Sequence, residues 1–351
     1  MFAKEQFPIG IDIGSSFIKL VQFKKSGNGY ELSKFDILPV QQGIIADGAI
    51  VDKKILTRTL AELLRKTNIS KGQACIGLSG QSSLIIKRIT VPFMTEDELN
   101  LSIKFEAQQF IPFDLNAVSL DFHIIDKTPN ADNQMEVLIV AVNKDLMNDY
   151  LEVISSVGLE TVVVDTKQFA LSNMYEFNYG VSEQRNIAIA DIGASTVTLN
   201  IVQNGLPIFW RESTVGSNYH TDAIESTFNI PREDAERLKR GFPIEAISSE
   251  EAQSVIQKAS DEIYADIYRS LEVFRSNFYN EEVYKIAICG GAALIKDFAS
   301  SMSQRIDMEV DVIDPFRKIA IPDKINPSYI KEIVPIAAVA VGLALRRSGD
   351  R

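Results

Sequence analysis

The stretch "IGIDIGSSFIKLVQF", Ile9 to Phe23, is a strand-like apolar run that breaks at an Asp, a Gly and two Ser and then resumes. A second stretch, "IAIADIGASTVTLNIV", Ile187 to Val202, repeats the arrangement. Laid on the first, it sets Asp191 on Asp12, Ile192 on Ile13, Gly193 on Gly14, Ser195 on Ser16 and Leu199 on Leu20. Each reads as a strand, a tight turn and a returning strand. At such a turn consecutive backbone N–H groups can converge on an anion. Gly allows close backbone approach there, and Ser or Thr hydroxyls add donors without bulk.

Asp12-Ile13-Gly14-Ser15-Ser16 and Asp191-Ile192-Gly193-Ala194-Ser195-Thr196 both fit this design. Lys19 adds a positive charge for a phosphate oxygen, and an Asp at each strand end offers a carboxylate that holds Mg2+, usually through water. One such turn alone is matched by many ordinary Gly/Ser turns. Two copies in repeated context point to two related domains closing on a polyphosphate from opposite sides.

Two later elements fall where such a site needs them. "YKIAICGGAALIKDF" is a buried strand, then Gly290-Gly291, then a helix start. Paired Gly at this point lets a flat ring lie against the backbone, although a tight turn alone would also use them. In "REDAERLKRGF", Glu236 and Lys239 share a helix face at i, i+3. By itself that spacing is an ordinary solvated ion pair; its place in the order of elements makes it a candidate.

The chain has 351 residues, too many for one ordinary core, so two or more domains are expected. Lys plus Arg number 36 against 47 Asp plus Glu, a net charge of −11 that repels phosphate backbones and argues against a general nucleic-acid binder. Cys75 and Cys289 sit in apolar runs without metal-ligand spacing and read as reduced core residues of a cytosolic protein. His123 and His220 are too few and too far apart for a metal cluster. Lys4 and Glu5 run directly into the first strand, so no secretory leader is legible. The most apolar stretch, Ile333 to Leu345, is too short to span a bilayer. Membrane attachment is therefore expected only through a partner.

Strand-like and helical runs alternate, so the class is α/β. Asp52 caps an expected helix with Leu56, Leu60, Leu63 and Leu64 on one face. A second presents Leu146, Tyr150, Val153, Ile154 and Val157 and stops at Gly158. A third runs from about Asp261 to Phe278. Between them, residues 87–164 look inserted. Thr95 and Glu98 form a capping box, which predicts a helix over Thr95 to Phe110. Leu99, Leu101, Ile103 and Phe105 alternate with period two, a competing strand signal. Pro112 ends the element in either case.

Two phosphate-type hairpins, an A-E-x-x-K helix and a late Gly-Gly turn, in that order, resemble the actin, DnaK-chaperone and sugar-kinase superfamily of ATP-binding proteins. The likeness spans essentially the whole chain. The inserted segment resembles that of FtsA, the actin-like division protein. "FEAQQFIPFDL" with "VSLDFHII", "VVVDTKQFAL" and "ICGGAALI" resemble the PilM family, the actin-like cytoplasmic component of type IV pilus assembly. That resemblance implies two duplicated α/β domains around a nucleotide cleft with an FtsA-like insert. The implied layout is first domain 1–86, insert 87–164, return 165–186, second domain 187–215 with its subdomain 216–282 and return 283–332, and a C-terminal helix 333–351 packing back on the first domain.

It further implies ATP with Mg2+ faced by Asp12 and Asp191. Phosphates would be held by Gly14, Ser15, Ser16, Lys19, Gly193, Ser195 and Thr196, with Gly216 in a further phosphate-side turn. Glu236 and Lys239 would take the ribose and adenine side, and Gly290, Gly291 and Leu294 would line the base. Asp165 falls where chaperone ATPases orient the attacking water, but it is one methylene shorter than their Glu, so turnover is expected to be slow. As a helix cap before Phe169 it has an equally good reading. The implied partner is the short cytoplasmic N-terminus of the membrane protein PilN. It would dock in a groove between the insert and the first domain, at Phe105, Gln109, Ile111, Pro112 and Phe113, where Gln amides beside apolar side chains suit an extended peptide. This makes the expected protein an ATP-bound cytoplasmic adaptor at the inner membrane, with other pilus platform or motor proteins as further partners. A sugar kinase, a working ATPase and an FtsA-like filament former stay as rivals.

Overall fold

The computed structural model describes residues 7–27, 29–126, 128–181, 185–245, 247–278, 281–323, 325, 330 and 333–350. The N-terminal Lys4 and Glu5, the expected second-lobe end at residue 332, and Arg351 lie outside them. The first hairpin is β1 (Ile9–Ile13) with β2 (Phe17–Ser26), antiparallel, and β3 (Gly29–Pro39) extends it. A short ribbon, β4 (Ile45–Ala46) with β5 (Ala49–Ile50), leads into α1 (Lys53–Lys66). The Asp52 side chain accepts the Ile55 N–H, capping α1, and the four Leu of its stripe are buried. β6 (Gly72–Leu78) then lies parallel to β1.

The chain next builds a separate small unit from β7 (Leu84–Pro92), α2 (Glu96–Ala107), β8 (Val118–Ile124) and β9 (Gln134–Asn143). Its three strands run in the order β7-β9-β8, and Leu99, Ile103 and Ala107 of α2 join Ile89, Val137 and Ile139 in one core. α3 (Lys144–Ser156), β10 (Leu159–Thr166) and α4 (Lys167–Tyr179) return to the first lobe. The second lobe comprises β11 (Asn186–Ile192), β12 (Val197–Gln203), β13 (Leu206–Ser213), α5 (Asn218–Phe228), α6 (Arg232–Lys239), α7 (Ser249–Asn277) and β14 (Val283–Cys289). α8 (Phe298–Ile306) and β15 (Val310–Val312) complete its sheet, ordered β13-β12-β11-β14-β15. Finally β16 (Ile319–Ala320) and α9 (Ala338–Leu345) cross back. The six-stranded first sheet runs β10-β6-β1-β2-β3-β16.

Four expectations need correction. The separate sheet spans residues 84–143, not 87–164: Leu146, Tyr150, Val153 and Ile154 of α3 pack with α1, and β10 pairs with β6. An apolar stripe and a strand edge both found their partners on the first lobe. α2 stops at Ala107 with Gln108 as its cap, short of the expected Phe110. In its period conflict the helix wins. The capping box forms in full, Leu99, Ile103 and Ala107 go inside, and Leu101 and Phe105 are left 89% and 78% exposed. α7 begins at Ser249, a dozen residues earlier than expected, because Ser248 and Glu251 make a second capping box. β16, expected in the second lobe, pairs with β3 of the first.

The lobes meet on a helical layer. α9 lies on β1 and against α4, and α4 in turn reaches β12 and β13. A single core holds Val21, Cys75, Ala170, Leu171, Ile189, Cys289, Val341 and Leu343, drawn from both sheets and both helices. Each fully buried Val or Leu there contributes about 1.5–3 kcal/mol. Small residues set the spacing. A Cβ on Gly342 would fall 1.8 Å from the Ala170 carbonyl oxygen, and one on Gly10 would fall 2.2 Å from that of Ala340. Gly342→Ala is therefore expected to push α9 off α4 and lower the melting temperature sharply, whereas Gly29→Ala, with only Ser26 O at 3.9 Å, should leave it near wild type. Thermal denaturation followed by circular dichroism checks both.

Candidate functional site

The two hairpin turns face each other. Gly14 N–H donates to Phe17 O at 3.0 Å and Gly193 N–H to Thr196 O at 2.9 Å, so both turns close in the same way. Their tips touch across the gap, with Ser195 Oγ donating to Ser15 Oγ at 2.8 Å. Between the lobes lies a cleft of about 1110 Å³. Of the residues singled out from sequence for a cofactor, Asp12, Gly14, Ser15, Ser16, Lys19, Asp191, Gly193, Ser195, Thr196, Glu236, Lys239, Gly290, Gly291 and Leu294 line it.

The cleft floor is charged and buried. Asp12 is 1% exposed, with Lys19 Nζ 2.6 Å from Oδ2 and Lys167 Nζ 3.1 Å from Oδ1. Burial pushes the Asp12 carboxyl up, but the Lys167 and Lys19 ammoniums outweigh it and hold it down at about 2. Lys167 also donates to Ile13 O at 3.3 Å. Burial alone would pull its ammonium down, and Asp12 reverses that. Asp191 fares differently. Burial raises its carboxyl, Lys19 and Lys167 oppose, and the charge of Asp12 raises it again. The Cys289 thiol donates to Asp191 Oδ1 at 3.7 Å. Asp12 and Asp191 together fit a hydrated Mg2+, which takes one or two protein oxygens and completes its shell with water and phosphate. Among the described residues there is no group of three His, Cys, Asp or Glu able to hold a metal alone.

At the other end, Lys239 Nζ is 2.8 Å from Glu236 Oε1 and donates to Thr221 Oγ1 at 2.9 Å, and Thr221 donates to the same carboxylate. Burial lowers the Lys239 ammonium. For Glu236, burial pushes up, and Lys239 outweighs it to bring the carboxyl below its usual range. Gly290 has φ of +86°, and a Cβ there would strike Ile192 O at 2.4 Å, so Gly is required where β14 turns into the short 3-10 turn Gly291–Leu294.

Asp165 does not line the cleft. It pairs instead with Arg346 at 3.2 Å behind the sheet, accepts the Thr166 N–H at 2.7 Å, and leaves capping of α4 to Thr166. The expected water-orienting role is thus unfilled by this residue. Gly216 is also absent from the lining. It braces the second turn, where a Cβ would sit 2.4 Å from Ala194 O and where Ser217 N–H donates to Gly193 O. On the insert, Phe105, Gln109 and Pro112 are exposed, while Ile111 is buried in the insert core and Phe113 packs half-buried against it. Ile111 is therefore a packing residue. Lys167, on the cleft floor, is not among the residues the sequence motifs mark. A signal existed, since a cation at the first position of a helix opposes the macrodipole and needs a specific anion to hold it.

Two duplicated α/β lobes clasping a cleft between paired hairpins define the actin-like fold. The model of the family described as type IV pilus assembly protein PilM matches residues 10–348, and the chain belongs to the PilM family. Among solved structures, a "PilM-PilN type IV pilus biogenesis complex" matches at a TM-score of 0.84 and 27% identity, covering 98% of this chain and 99% of that one. The ethanolamine utilization protein EutJ from Carboxydothermus hydrogenoformans matches at 0.59 and 15%, covering 97% and 89%. MreB5 of Spiroplasma citri bound to AMPPNP matches at 0.54 and 17%, covering 97% and 95%. The last two relate this chain by fold alone. Among the described residues no helix is long and apolar enough to cross a membrane.

Lys167→Met should cost about 3 kcal/mol of stability, since it strips one partner from a buried carboxylate. Its folded-state pKa would move from about 2 toward the ordinary 3.8. The stability Asp12 contributes is present above 3.8 and lost as pH falls through the folded value, so acid unfolding should set in at higher pH. The charge of Asp191, by contrast, opposes folding above its unfolded pKa. Asp191→Asn should therefore raise the melting temperature of the nucleotide-free protein at neutral pH. Melting curves across pH 2–7 read both effects.

Proposed function

We propose that the chain is the nucleotide-binding adaptor of a type IV pilus assembly platform, holding ATP with Mg2+ between its lobes. The carrying observation is the pair of matched hairpin turns, with Ser15 and Ser195 in contact and Asp12 and Asp191 behind them. Converging backbone N–H groups and hydroxyls, two lysines and a water-accessible opening suit a polyphosphate. Asp12 and Asp191 would hold the metal, which neutralises phosphate charge when bound. The Glu236–Lys239 pair and the Gly290-Gly291 turn fall on the ribose and base side. Gly14 and Gly193 leave room for phosphate oxygens against the backbone.

On this reading the insert takes the cytoplasmic N-terminal peptide of a PilN-like membrane protein. The exposed Phe105 and Leu101 of α2, with Gln109 and Pro112 just beyond it, supply apolar anchors beside amide donors and acceptors. The protein would then sit in the cytoplasm and reach the inner membrane only through that partner.

Calorimetry with ATP and ADP, with and without Mg2+, should show binding to wild type, and Asp191→Asn should reduce the Mg2+-dependent part of the affinity. Absence of any nucleotide binding by the folded wild-type protein would sink the nucleotide assignment. For the partner, fluorescence anisotropy of a labelled PilN-type N-terminal peptide should weaken about tenfold or more for Phe105→Ala and Gln109→Ala, roughly 1.4 kcal/mol, with ATP affinity unchanged. Equal peptide binding by both variants would move the groove elsewhere.

A further inference from the structure

The cleft contains a carboxylate that phosphate holding does not use. Glu212 lies on β13 directly opposite Thr198, and Thr198 lies directly opposite Asp191. Opposed residues of antiparallel strands share a face, so these three form a row, about 5 Å from one to the next. All three line the cleft. In the first lobe the matching row is Asp12, Lys19 and Ile37, also lining it. Duplication therefore sets an acid on one wall where its twin carries an isoleucine. Glu212 has no structural counterpart to explain it.

Its surroundings keep it in place and in the right state. Gln81 Nε2, from the loop after β6, reaches across the cleft to the Glu212 main-chain oxygen at 2.6 Å. Burial raises the Glu212 carboxyl; Lys167 opposes that, Asp47 adds to it from the facing lobe, the Gly80 N–H lowers it and Asp191 raises it. A carboxyl shifted upward is a better proton acceptor at neutral pH. Of the other acids lining the cleft, Asp191 is given to the metal on the nucleotide reading, and the others pair or lie elsewhere. Asp12 is held by two lysines and Glu236 by Lys239. Asp47 accepts the Gln81 and Ser82 N–H groups. Glu233 belongs to α6, on the base side, and Asp165 pairs with Arg346 outside the cleft.

We propose that Glu212 orients and deprotonates the water that attacks the terminal phosphate of a bound nucleoside triphosphate, so that the chain hydrolyses its nucleotide. The inference rests on the nucleotide reading above. The water oxygen forms a bond to the terminal phosphorus as the bond from phosphorus to the bridging oxygen breaks. One water proton passes to the Glu212 carboxylate and from there to solvent. The nucleoside diphosphate and inorganic phosphate leave. Lys19 and Lys167 offset the charge on the phosphate oxygens.

The test uses the full chain, with single-turnover phosphate release from ATP and calorimetric binding of AMPPNP measured side by side. Glu212→Gln should bind AMPPNP as wild type does while phosphate release falls about 100-fold or more. The wild-type rate should climb with pH through a value above the ordinary 4.5 of a glutamate, and that inflection should be missing from Glu212→Gln. If wild type binds AMPPNP but releases no phosphate, or if Glu212→Gln releases it at the wild-type rate, the assignment is wrong. Loss of AMPPNP binding in Glu212→Gln would make the residue a clasp between lobes and overturn it as well. A wild type that binds no nucleotide would instead fail at the calorimetry step and overturn the underlying reading.

Discussion

The whole arrangement depends on how closely α9 can approach α4 and β1. Gly342 lies against the Ala170 carbonyl and Gly10 against that of Ala340, at distances that admit no side chain. This contact sets the thickness of the layer between the two sheets. α4 then carries its first residue, Lys167, to the floor of the cleft, 3.1 Å from Asp12. On its other side α4 meets the second lobe, where the buried Asn200 amide donates to Gln168 O and Ser172 Oγ at 2.6 and 3.0 Å. Packing density in one place thereby fixes electrostatics in another. A shift of the second lobe along this layer would separate the two Ser tips from each other.

Buried ion pairs are weak stabilisers, because desolvation offsets most of the attraction. The cluster of Asp12 with two lysines makes more sense as a site than as a strut. It places two ammonium groups beside the turns that close the cleft. The neighbouring Asp191 makes no ion pair with a lysine among the described residues, and burial raises its carboxyl. The two lobes are therefore duplicates in backbone and unlike in charge: Asp12 faces Lys19 across its hairpin, and Asp191 faces Thr198.

The insert is built on a separate principle. Its three strands and α2 share a core of their own, distinct from those of either lobe. The same helix leaves Leu101 and Phe105 on its outer face. Lys87 sits over the Phe110 ring, 4.8 Å from its centre, and Arg88 pairs with Glu136 across β7 and β9. Such features stiffen a small unit that lacks the depth of a full domain.

Local signals were sufficient wherever the causes are local. The two hairpins, the Asp52 cap, the capping boxes at Thr95 and Ser248, and the leucine stripe of α1 are all written within a few residues of where they act. The Ser248 box went unread because Ala252 and Ala259 give a faint apolar stripe at that end of α7. Charge partners are a different matter. Asp165 could have faced the cleft or the back of the sheet, and Arg346, at the far end of the chain, decided it. Lys167 has a meaning only because β1 delivers Asp12 beside it. Glu212 acquired its place from register, which pairs it with Thr198 across strands that sequence periodicity alone does not align. The sequence thus determined the elements, the fold class and the paired hairpin turns. Which charged groups share one cleft was decided by tertiary structure alone, since desolvation and Coulomb attraction act between groups that only folding brings within reach.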